Sequence, residues 1–343
     1  MLALLLAASG VTLIPASADG ALVIDDASGI RALLTSAGKY TSTLSPQTIG
    51  RTLSSNVGVD LLAEQPEWGL AKKGPRALIF SRGSIGLSAP IADLKSARRA
   101  LEAWRTGANR AGKIASKRLF TASGPRAAAL LKAMAKPGAF TRDKALLARA
   151  TGPAWIYLKG RPPLRAAIFA LDASAAGLIA RGLVQPLRDP ILAGPAPAPC
   201  DGSPPGCLRV GLGPSGRMLL SMALSQLRQP ALPDSPHLVV RLDAIDAQQL
   251  SDDRSLPNAL HISAADAPAL AGGPALAGQL DLSAIATALA RLTPLDAIHG
   301  TLAAGAYAAN LIYAPFLRNS GPLTLTGEPA KTGADIEIRL PIR

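Results

Sequence analysis

The most specific chemical pattern in the chain is Gly211-Leu212-Gly213-Pro214-Ser215-Gly216, set between an apolar run and a helical one. Glycines in such a turn let backbone N–H groups reach a pyrophosphate at a helix N-terminus, while an acid about 20 residues on holds the ribose. Here the following strand ends at Asp243, 27 residues after Gly216. No further run of strand–helix pairs follows to complete a doubly wound sheet. Nucleophilic chemistry has less to work with. There is no Gly-x-Ser-x-Gly elbow, and the three histidines, His237, His261 and His299, stand apart from any Ser, Cys or carboxylate pattern. Asp25-Asp26 and Asp252-Asp253 are adjacent pairs, which on a strand point to opposite faces and make poor acid/base partners. No catalytic, cofactor or metal residue is assigned on these grounds, and the expectation is that the chain is not an enzyme.

Cys200 and Cys207 are the two cysteines, separated by a loop of Asp, Gly, Ser and Pro. Two thiolates without a nearby His do not make a zinc site. A small disulfide loop is the better reading, and it favours an oxidising compartment. The N-terminus points the same way. Leu2 to Ile14 carries no charge, and Pro15-Ala16-Ser17-Ala18 offers a small-x-small site for cleavage before Asp19. No Lys or Arg precedes the run, and the alternative is that Leu13 to Ala18 leads into the first strand.

Charge is the strongest lead. Of the formal net charge of +13, residues 72–165 carry 21 Lys or Arg against three acids (Asp93, Glu102, Asp143). The rest of the chain is net acidic, so positive potential is concentrated in one segment. Arg98, Arg99 and Arg105 share the polar side of one helix, with Lys113, Lys117 and Arg118 shortly after. Together they form a candidate patch for anionic lipid, an envelope polymer such as lipopolysaccharide, or an acidic protein. Nucleic acid is disfavoured, because no aromatic residues interleave with the charges to stack bases.

Local elements that would position these residues are readable. Asp93 caps a helix whose Leu94, Ala97, Leu101 and Trp104 recur at spacings of three and four. Ser28 to Ala37, the segment opened by Ser123 and Pro125, Arg217 to Leu227 and Leu282 to Leu292 read as further helices. Ala77 to Ser81 and Ser84 to Ile91 flank Arg82-Gly83 as a hairpin. Ala21 to Ile24, Leu119 to Thr121, Trp155 to Leu158, Leu164 to Asp172, Gly177 to Leu183, Leu208 to Leu212 and His237 to Leu242 read as strands. Ile336, Ile338 and Leu340 alternate with Glu337 and Arg339 in a last strand that pairs with Leu323 to Thr326. Aromatics are only 3% of the residues, so Leu, Ile and Val must build the core.

With 343 residues, two cores are expected. The reading is an α+β protein in two lobes, each with helices packed on a mostly antiparallel sheet. Residues 1–18 are the export signal, 19–160 a basic lobe, 161–207 a Pro/Gly-rich junction with the cysteine loop, and 208–343 a second lobe.

The chain resembles a group of exported bacterial envelope proteins and lipoproteins built on an α+β domain, often duplicated, whose function is not known. The matching residues are Pro15-Ala16-Ser17-Ala18-Asp19 with Ala21-Leu22-Val23-Ile24, Gly58-Val59-Asp60 before Gly69-Leu70, and Arg76-Ala77-Leu78-Ile79-Phe80. The strand into Ala92-Asp93-Leu94 and Gly321-Pro322-Leu323-Thr324-Leu325 complete the likeness, which covers about half of the chain. It departs from the lipoproteins in having no lipobox cysteine near the N-terminus. The resemblance implies the class and an envelope location and supplies no site residues. The expected function is a non-catalytic exported envelope protein that binds an anionic or protein partner through its basic lobe. The alternative is a periplasmic carrier of a hydrophobic lipid or acyl ligand. The third is an enzyme with a nucleotide site at Gly211–Gly216. No cofactor is expected.

Overall fold

The computed structural model describes residues 14–15, 17–25, 27–40, 45–59, 66–134, 143–174, 177–198, 200, 204–226, 232–243, 259–265, 273–290 and 316–342. Most of the expected export signal, together with Asp26, Asp252, Asp253 and His299, lies outside these residues. The protein is α+β, and the strands among the described residues form a single sheet. In chain order they are β1 (Gly20–Ile24), β2 (Arg76–Ser81), β3 (Ser84–Pro90), β4 (Arg110–Ala115), β5 (Arg118–Ser123), β6 (Ala154–Lys159) and β7 (Leu164–Ser174). Then come β8 (Gly177–Pro186), β9 (Gly206–Gly211), β10 (His237–Leu242), β11 (Leu260–Ala264), β12 (Leu276–Leu280), β13 (Leu323–Ala330) and β14 (Gly333–Pro341). Their spatial order is β11-β10-β9-β12-β13-β14-β8-β7-β6-β1-β2-β3-β5-β4, and every neighbouring pair is antiparallel.

A division into two lobes is not shown: strands from both sides of residues 161–207 belong to one sheet. Arg161-Pro162-Pro163 is a tight turn rather than a linker: Gly160 N–H donates to Arg165 O at 2.9 Å and Leu164 N–H to Arg161 O at 2.7 Å. The turn joins β6 directly to β7. Much of the expected junction is therefore β7 and β8, long strands paired in register from Ala166–Gln185 to Ser174–Gly177. Strand β8 then pairs with β14 over eight positions, so the last strand of the chain sits beside the middle of the sheet.

Helices cover the sheet unevenly. On one face α1 (Ala27–Gly38) lies over β7 and β8, α2 (Pro46–Val57) over β3 and β5, and α3 (Leu94–Arg105) over β4. They bury Ile30, Leu33, Val57, Leu101 and Trp104 against Ile24, Leu78, Leu87 and Leu119. On the opposite face α4 (Ala127–Met134) and α5 (Lys144–Leu147) close a second core around Ile79, Phe120, Trp155 and Ile168. Ile14 and Ala18 are fully buried in that core, as the lead into β1. A third core, around Ile191, Leu192, Val210 and Leu238, packs beside α6 (Pro214–Gln226). α7 (Leu282–Ala290) follows β12. No helix among the described residues is long and apolar enough to cross a membrane.

Tyr40, just past α1, ties the two ends of the chain together. It is fully buried, and its hydroxyl donates to Leu340 O in β14 and accepts from Leu178 N–H in β8 at 3.4 Å. Its ring meets Phe316 at 5.5 Å between centroids. Tyr40→Phe removes the hydroxyl while keeping the ring. It is expected to cost about 1 kcal/mol, read as a lower urea midpoint with an unchanged denaturant slope.

Candidate functional site

The basic patch begins with α3. Asp93 accepts Lys95 N–H at 2.9 Å and supplies the N-cap. Ala97, Leu101 and Trp104 face the sheet, which leaves Arg98, Arg99 and Arg105 exposed on the outer side. None of the three makes an ion pair or side-chain hydrogen bond with another described residue. Arg110, at the start of edge strand β4, lays its guanidinium 4.0 Å from the centre of the Trp104 ring and joins the same side. The sequence reading missed Arg110, because β4 has no apolar alternation to announce a strand.

The other patch members go elsewhere. Lys113 is three residues from Arg110 on β4 and so points to the opposite face of the sheet, where its ammonium lies 5.9 Å from the Phe120 ring centre. Lys117 is exposed in the β4–β5 turn, with φ 57°. Arg118 is largely buried and acts as a brace: it donates to Ser88 Oγ at 3.0 Å and Pro75 O at 2.7 Å. Burial without a carboxylate lowers its pKa to about 10.

The glycine-rich turn is filled by the protein itself. A side chain at Gly211 would come within 2.5 Å of Ala193 O, and one at Gly213 or Gly216 would run into the carbonyl of Pro190 or Ile191. These glycines admit the 190–195 backbone, not a pyrophosphate. Strand β9 is flanked by antiparallel neighbours, so no parallel βαβ unit surrounds the turn. Asp243 instead receives Arg241 Nε at 2.6 Å and stands 3.1 Å from His261 Nε2. This Asp–His contact is exposed, and it arises only because β10 and β11 pair. Cys207 is bonded to Cys200 as a disulfide.

Strand register creates a polar face in the later half of the sheet, on the side that α4 and α5 cover in the earlier half. One cross-strand row runs Val239, Arg209, Ala277, Thr326, Glu337, Arg181. The next runs Arg241, Cys207, Gln279, Thr324, Arg339. Directly paired residues share a face. Glu337 is held by Arg181 and Arg339, which keep its carboxyl below the usual range. Asp335 pairs with Arg149. Two concavities of about 420 and 300 Å3 meet at Thr326 on this face.

One carboxylate is half-buried beside the core around Trp155. Asp25, at the end of β1, accepts Trp155 Nε1–H at 2.9 Å through Oδ2, while Oδ1 is buried without a partner among the described residues. Desolvation raises its pKa to about 6, against the lowering effect of the Trp155 hydrogen bond.

No protein-family model matches the chain, and no curated protein does. Among solved structures it is distantly similar to crystal structures of TP0453. Crystal form III of that protein shares 9% identity, with 67% of this chain and 91% of that one covered and a TM-score of 0.30. Crystal form IV shares 11%, covering 52% and 83%, with a TM-score of 0.28. Likenesses of this size leave function to be argued from the geometry.

The Asp25 carboxyl has a folded pKa of about 6, above the ordinary 3.8. The native state therefore binds its proton more tightly than the unfolded chain does, and this contribution to stability is full below pH 3.8 and lost as pH rises through about 6. Asp25→Asn retains an acceptor for Trp155 and is expected to flatten the dependence of the denaturation midpoint on pH across that window.

Proposed function

We propose that this is an exported, non-catalytic envelope protein that binds an anionic partner through the outer side of α3. The observation that carries the reading is the set of exposed guanidinium groups at Arg98, Arg99 and Arg105, joined by Arg110 and free of carboxylate partners among the described residues. Packing of Ala97, Leu101 and Trp104 holds the helix, so the arginines are not needed for folding and are available for contact. The Cys200–Cys207 disulfide supports export, since such bonds persist in oxidising compartments. Mixed vesicles of zwitterionic and anionic phospholipid, and lipopolysaccharide in parallel, are the test partners. Each arginine near an anionic surface contributes about 1 kcal/mol. The triple change of Arg98, Arg99 and Arg105 to Gln is thus expected to weaken binding on the order of 100-fold and to flatten its salt dependence. Equal binding by the wild type and the triple variant would remove the basis of the proposal.

A second reading, a carrier of a lipid or acyl ligand, is favoured by one feature. On the opposite face of the later strands lies a concavity of about 270 Å3 bordered by Leu208, Val240, Leu242, Leu260, Leu280 and Leu325. Organic extraction of the purified protein followed by mass spectrometry is expected under this reading to release a stoichiometric lipid. An extract without one rejects it.

A further inference from the structure

We infer that the cavity of about 420 Å3 beside the Cys200–Cys207 disulfide binds a small oxyanion-bearing ligand, with Arg209 as the anchor. The cavity has a simple origin. In the row Arg209, Ala277, Thr326 the middle residue is only a methyl group, which leaves a hollow between the two longer side chains. Gln279 and Thr324 form the neighbouring row, and the disulfide with Pro204 walls one side. The volume falls within the range of small-molecule sites.

Charge identifies the ligand class. Among the described residues, Arg209 is the only charged one lining this cavity. The other arginines of the polar face are neutralised: Arg149 holds Asp335, Arg181 and Arg339 hold Glu337, and Arg241 holds Asp243. Arg209 holds no carboxylate among the described residues. One of its five N–H groups is spent, through Nη1, on Pro197 O at 3.0 Å, which fixes the side chain over the strand. The remaining donors form the fork that suits two oxygens of a carboxylate or phosphate. Gln279, Thr324 and Thr326 add neutral donors and acceptors around it. No aromatic residue among the described ones lines the cavity to stack a base or a sugar ring. A compact anion that hydrogen-bonds through oxygen fits this chemistry, and this site is separate from the α3 surface.

Isothermal titration of the full chain with succinate and with inorganic phosphate tests the site. Saturable binding of one or both at millimolar concentration is expected, and whichever binds more tightly identifies a carboxylate or a phosphate as the natural group. Arg209→Gln is expected to weaken binding by at least about ten-fold. Ala277→Leu, which fills the hollow and leaves the Arg209–Pro197 contact in place, is expected to do the same. The triple change of Arg98, Arg99 and Arg105 to Gln should leave this affinity unchanged. If Arg209→Gln does not fold, Ala277→Leu decides alone. Failure of both anions to bind the wild type, or wild-type affinity in the folded variants, overturns the inference.

Discussion

The unbroken backbone ladder from β6 through β7 and β8 to β14 is the constraint on which the rest of the structure depends. An antiparallel pair hands its register to the next, so the pairing of β8 with β14 fixes where every later strand stands relative to every earlier one. Tyr40 reinforces the joint from the side by reaching from the end of α1 to the Leu340 carbonyl. A chain long enough for two cores thus folds around one sheet with three packed clusters.

Continuity of the sheet also divides its surfaces. Helices occupy both faces of the earlier strands and bury large side chains such as Trp155, Leu78 and Ile79 there. Among the later strands, the same alternation presents leucines on one face and Arg, Thr, Gln and Glu on the other. Loop 190–195, α6 and α7 accompany these strands. The polar face stays intact because most of its charges neutralise each other in place, Glu337 between two guanidiniums being the densest example. Arg209 stands out against that background, since its fixed partner is a carbonyl rather than a carboxylate.

In the basic segment, net charge and surface charge prove to be different quantities. Arg118 lies in the same run of cations as Arg98 and Arg99, yet it is half-buried as a hydrogen-bonding brace for Pro75 and Ser88. Lys113 and Arg110 share one short strand and point to opposite faces, each over an aromatic ring. What remains as a coherent surface is the helix face, where Arg98 and Arg105, about two helical turns apart, line up with Arg99 beside them.

Elements with a strong local signal were legible from the amino-acid sequence alone: the Asp93-capped helix, the Arg82-Gly83 hairpin with both turn residues at positive φ, and the alternation of Ile336, Ile338 and Leu340. So was the concentration of charge. Short strands of small residues, Arg110–Ala115 and Leu276–Leu280, were not, because their conformation is imposed by neighbours rather than by periodicity. Sheet order, the filling of the Gly211–Gly216 turn by residues 190–195, the Asp243–His261 contact and the isolation of Arg209 were decided only in three dimensions. Each depends on strands or loops far apart in the chain being brought side by side, and local sequence carries no record of which partner a strand will take.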